Sequence, residues 1–221
     1  LTCTALVLLM TPGLAFFYGG MVRAKNVLAM LMQNYVAIGV VSVTWVLVGY
    51  SLAFAPGNRA LGGLRFLGLG HDTDPVPGFD LSVPPLLFAA FQLMFAVITV
   101  ALIAGAVADR MRFGAFVAFA ALWSVLVYAP LAHWAFSPSG FLARLGVLDF
   151  AGGTVVEIDC GAAGLALALV VGKRLGWPRE AMPPHSLPLT LLGAGLLWFG
   201  WFGFNAGSAL HADGLAVSAL V

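Results

Sequence analysis

The stretch DFAGGTVVEIDCGAAGLALALVVGKR, residues 149–174, has the composition of a membrane-spanning helix that ends in two basic residues. It also holds Asp149, Glu157 and Asp159, three of only nine acidic residues in a 221-residue chain. An apolar run of this length normally excludes charge, because an ionisable group inside a bilayer is costly and marks a pathway or a partner. The placement of these three carboxylates decides how the rest of the sequence is understood.

Hydrophobic residues make up 62% of the chain and charged ones 9%, with a mean hydropathy of +1.02. Soluble domains average roughly 25% charged residues, so the composition points to a polytopic membrane protein. The net charge of +1 and the lack of a basic cluster argue against nucleic-acid binding. Cys3 and Cys160 lie in apolar runs and suggest neither a disulfide framework nor a metal site. Nothing in the sequence calls for a cofactor. The chain starts on Leu1 without the flanks of a signal peptide and stops at Val221 inside an apolar run, so a larger protein is expected.

Six apolar segments are expected to span the membrane, at about residues 1–18, 27–55, 85–108, 113–133, 150–172 and 187–208, with a seventh starting near Leu215. Runs such as LVLLM and LALALVV do not alternate as barrel strands do. The fold class is therefore an all-α polytopic helical bundle, as a single transmembrane domain over 1–221. Arg23, Lys25, Arg110, Arg112, Lys173, Arg174 and Arg179 fall on one side of the bilayer, against Arg59, Arg65 and Arg144 on the other. Basic residues favour the cytoplasm, which puts the N-terminus outside. The loop carrying Asp72, Asp74 and Asp80 is then external. The aromatic and small-residue patterns PGLAFFYGG (12–20) and FGWFGFNAGS (199–208) hint at an inverted repeat five segments apart.

Asp149 stands at the external start of the fifth segment, where a carboxylate caps free N–H groups and meets the positive helix end. Glu157 lies eight residues on, about 12 Å down the axis at 1.5 Å per residue, towards the midplane. No Lys or Arg sits mid-helix to pair with it. Asp159 points about 200° around the helix from Glu157, so the two cannot line one narrow path. It is expected to face a neighbouring helix or subunit. Asp149 and Asp159, about 15 Å apart along one helix, do not fit an intramembrane protease dyad, whose two acids share a proton.

Four motifs, PGLAFFYGGMVRAKNVLAM (12–30), FQLMFAVITVALIAGAVADRMRF (91–113), DFAGGTVVEI (149–158) and GWFGFNAGSA (200–209), occur in order and over nearly the whole chain. They resemble the Amt/Mep/Rh ammonium transporter family. The resemblance implies a homotrimer in the cell membrane whose subunits each have a pore between two inverted five-helix repeats. This chain would hold the first repeat and the start of the second. The implied substrate is ammonium or ammonia, with methylammonium left open, and the resemblance admits a PII-type regulatory protein on the cytoplasmic face.

By the same resemblance Phe95 and Phe204 match the stacked phenylalanines of the pore gate, with Phe91 one turn before Phe95. Ser208 matches the hydroxyl of the external recruitment site, and Asp149 the acid that stabilises that vestibule. The family's recruitment site usually has a Trp after the fourth helix; Phe136 falls there, with Trp134 close by. Phe has a weaker cation–π face than Trp. Glu157 stands where most members have the first of two pore histidines, although some fungal members carry Glu. The expectation is proton-coupled ammonium uptake with Glu157 as the proton or cation site. The alternative is an ammonium sensor of the same fold. His71, His133, His185 and His211 are expected to be surface or interfacial residues.

Overall fold

The computed structural model describes residues 1–71 and 73–221; Asp72 falls outside the described residues. Among the described residues six helices are long and apolar enough to cross a membrane: Thr2–Met21, Ala24–Phe54, Pro85–Val107, Phe113–Arg144, Gly153–Val171 and Leu187–Gly207. They are the first to sixth spans below. A short helix, Gly214–Leu220, follows, and Asp213 caps it by accepting from the N–H groups of Leu215 and Ala216.

A bilayer gives backbone groups no water to bond, so helices satisfy them internally. What remains is to bring the helices together, and small residues do this without a strong hydrophobic drive between helices. The first and sixth spans pack most closely. Gly13 of one faces Leu196 and Leu197 of the other, while Gly193 lies against the backbone of Gly13 and Phe17. The two segments whose shared pattern hints at a repeat are thus direct neighbours.

The third span is the most buried of the six. Polar groups tie its neighbours to it: the Tyr18 hydroxyl donates to the Leu102 carbonyl at 2.9 Å, and the Trp45 indole donates to the Ala89 carbonyl at 3.1 Å. The second and fourth spans each widen into a π-helical turn, Trp45–Gly49 and Ser124–Tyr128. These turns face each other, with the rings of Trp45 and Tyr128 at 6.1 Å and the Thr44 and Ser124 hydroxyls at 2.9 Å. A third π turn, Gly153–Ile158, opens the fifth span. Such bulges gather at functional sites.

His133 corrects the expectation that all four histidines are surface or interfacial residues. It is fully buried, and its two ring nitrogens lie 2.8 Å from the carbonyls of Ala53 and Asn58. It clamps the outer end of the second span and the loop after it to the fourth. Neighbouring Trp134 makes an exposed bond to the Ala60 carbonyl. His133→Ala should lower stability by about 1–3 kcal/mol, because buried carbonyls lose their partner. Trp134→Phe should cost less than about 1 kcal/mol. Thermal unfolding of the purified variants checks the ranking.

Candidate functional site

The outer end of the fifth span is built on Asp149. Its Oδ1 accepts from the Gly152 N–H at 2.6 Å; its Oδ2 accepts from Thr154 at 2.8 Å and Val155 at 3.1 Å. Three N–H groups that a helix start leaves unsatisfied therefore end on one carboxylate. Gly152 makes this possible with φ of +107°, a conformation that side chains disfavour. The rings of Phe95 and Phe204 lie beside it.

Those two rings stack at 4.2 Å between centroids and 22° between planes. Phe91 meets Phe95 edge-on at 4.9 Å. Phe95 comes from the third span and Phe204 from the sixth, so the stack joins two spans beside Gly152.

Outside the stack lies a cavity of about 120 Å³ lined by Phe95, Phe136, Asp149 and Ser208, together with Phe79, Gln92, Ala135, Phe150 and Leu210. All four residues assigned by resemblance to recruitment share this cavity. Phe136 lines it, whereas Trp134 turns away to the 58–62 loop. The Ser208 hydroxyl donates to the Phe204 carbonyl at 2.7 Å. Its hydrogen is used, so its lone pairs are left to accept from a ligand.

Gln92 was not singled out from sequence. It is 7% exposed, lines the same cavity, and its Oε1 has no hydrogen-bond partner among the described residues. The available signal was a lone amide three residues before Phe95 in an otherwise apolar helix.

Glu157 lies on the π turn, five residues past Gly152 and roughly 7 Å deeper along the axis. Both of its carboxylate oxygens are buried, and neither has a hydrogen-bond partner among the described residues. No ion pair to it is found there either; the described pairs lie on Arg23, Arg65 and His71. Asp159 is also buried, with Oδ2 unpartnered among the described residues. The four histidines do not enter the cavity, and His211 instead approaches the Asp80 carbonyl at 2.8 Å. At the opposite end Arg23 pairs with Asp109 at 3.2 Å. That partly buried pair ties the turn after the first span to the turn after the third, and sequence reading missed it.

A family model described as the Ammonium Transporter Family matches residues 1–221. The chain is 56% identical over 220 residues to an ammonium transporter of Bacillus subtilis, covering 99% of this chain and 54% of that protein. The crystal structure of Candida albicans Mep2 superposes with a TM-score of 0.90 at 38% identity, over 99% of this chain and 49% of that one. A structure described as a sensor Amt protein gives a TM-score of 0.90 at 29% identity, over 99% and 56%. The chain thus spans about half the length of the relatives it matches.

Gly152→Ala should cost about 1–2 kcal/mol for the backbone conformation alone, and its Cβ would press on Val156 at 3.0 Å. Gly153→Ala meets nothing within 4 Å and should stay within about 0.5 kcal/mol of the parent. Unfolding midpoints of the two variants, measured side by side, test whether Gly152 sets the geometry.

Proposed function

Since the chain belongs to the ammonium transporter family, we propose that it carries the external recruitment site, the aromatic gate and one pore acid of a membrane ammonium transporter. The observation that supports this most is the order of features along the fifth span. A polar and aromatic cavity sits outside a stacked phenyl pair, and an acid without a partner lies deeper.

An ammonium ion entering the cavity gives up part of its hydration shell. Acceptors at Ser208 Oγ and Gln92 Oε1 take N–H bonds, each worth about 0.5–1.5 kcal/mol net. The faces of Phe136 and Phe95 add cation–π attraction of about 0.5–2 kcal/mol. Asp149 contributes negative charge near the cavity, although its oxygens are spent on the helix start.

Inward of the cavity the rings of Phe95 and Phe204 close the route and must swing aside for passage. An unpaired cation in the apolar stretch beyond is strongly disfavoured. Ammonium therefore either loses its proton or meets a counter-charge. Glu157 is the group placed to supply either: ionised it accepts the proton or holds the cation, and neutral it donates a hydrogen bond. A homotrimer with an external N-terminus in the cell membrane accompanies this reading.

The sensor reading is favoured by one observation, the likeness to the sensor Amt structure. Ammonium-elicited current from the intact protein in proteoliposomes separates the two readings, since a sensor binds the ion with little flux. In the transporter, Glu157→Gln should reduce the current at least about tenfold and alter its pH dependence, the scale of a lost acid–base group. Unchanged current and pH profile would remove Glu157 from the mechanism.

A further inference from the structure

The recruitment cavity has a larger neighbour. A mostly apolar cavity of about 470 Å³ adjoins it, with Cys3, Leu87, Phe88 and Phe91 in its wall. Among the described residues Leu210 alone lines both. Its side chain, half-buried against the core, is the partition between a small polar chamber and a large apolar one.

Leu210 stands there against its backbone preference. Its φ is +60°, in the left-handed region that a bulky side chain disfavours. Such a conformation persists only where its surroundings hold it. Its own N–H donates to the Gly207 carbonyl at 3.0 Å, and two bonds tie its turn to the loop before the third span. The Ser82 hydroxyl donates to the Leu210 carbonyl at 2.8 Å, and His211 Nε2 donates to the Asp80 carbonyl at 2.8 Å. A carbonyl only accepts, so Nε2 carries the hydrogen, and the bond survives whether the imidazole is neutral or charged. The loop is anchored in turn. Phe79, beside Asp80, lines the recruitment cavity and packs on Phe88 at 5.0 Å and Phe54 at 5.8 Å.

We propose that Leu210 is a specificity-determining residue of the recruitment site, and that Ser82 and His211 are the positioning residues that hold it. The inference rests on the recruitment reading of this cavity. With the partition in place, a cation in the small chamber gives up water to contact Ser208, Gln92 and the rings of Phe95 and Phe136. Without it the chamber opens into a space several times larger, where the ion keeps its water. Potassium resembles ammonium in charge and size but has no N–H to donate. Directed N–H bonds separate the two ions only when water is stripped from the bonding side, so the partition sustains the discrimination.

The test uses the intact protein in proteoliposomes, with Leu210→Gly, His211→Ala and His211→Gln. Glycine accepts the left-handed backbone, so Leu210→Gly removes the side chain without adding strain. Leu210→Gly and His211→Ala should each raise the KM of the ammonium-elicited current several-fold and let potassium inhibit it at several-fold lower concentration. The maximum current should change little. His211→Gln, whose amide can still donate to the Asp80 carbonyl, should return both values towards the parent's. Unchanged KM and potassium inhibition in Leu210→Gly would overturn the proposal. So would a lower maximum current at unchanged KM, which a merely structural role predicts. If the parent carries no current, the transport reading fails, and calorimetric titration of the purified protein with ammonium chloride and potassium chloride decides instead. A preference for ammonium that Leu210→Gly loses supports the partition; the same preference in both, or no binding to either, overturns it.

Discussion

Three backbone N–H groups converge on the carboxylate of Asp149, and the candidate site follows from that arrangement. A helix start in a bilayer has few partners for its free donors, and each donor left bare costs several kcal/mol. Asp149 satisfies those of Gly152, Thr154 and Val155 together. To reach them the chain turns through Gly152 in a left-handed conformation and enters a π turn. That turn sets the fifth span beside Phe95 and Phe204 and carries Glu157. The acid at the mouth is thus structural as well as electrostatic, and its two roles are hard to separate by removing it.

The deeper acids behave differently. Asp149 spends its oxygens on the backbone, whereas both oxygens of Glu157 and the Oδ2 of Asp159 have no hydrogen-bond partner among the described residues. Evolution rarely keeps such groups for stability, because a well-packed apolar side chain would do at least as well. Their cost makes sense where a proton or a small cation must pass.

Much of this was legible in the sequence for identifiable reasons. Asp149 could be placed because capping depends on local spacing, and the six spans because the bilayer demands long apolar runs. Other features depend on contacts between distant segments. His133 looked like a helix-end residue, and nothing local shows that the carbonyls of Ala53 and Asn58 come to meet it. Gln92 and Asp109 were passed over since one amide in an apolar helix, or one acid in a basic turn, has no periodicity to flag it. The choice between Trp134 and Phe136 as cavity wall needed the rotation of the fourth span, which its π turn alters. Such turns leave no pattern in the residues themselves.

The central claim is that Glu157 faces the conduit inward of the Phe95–Phe204 stack with no permanent counter-charge. A high-resolution cryo-electron microscopy structure of the full-length protein in lipid nanodiscs tests this directly. The account predicts the Glu157 carboxylate open to the pore, with no Lys or Arg nitrogen within ion-pair distance. A basic side chain locked onto that carboxylate, or the carboxylate turned out to lipid, would contradict it.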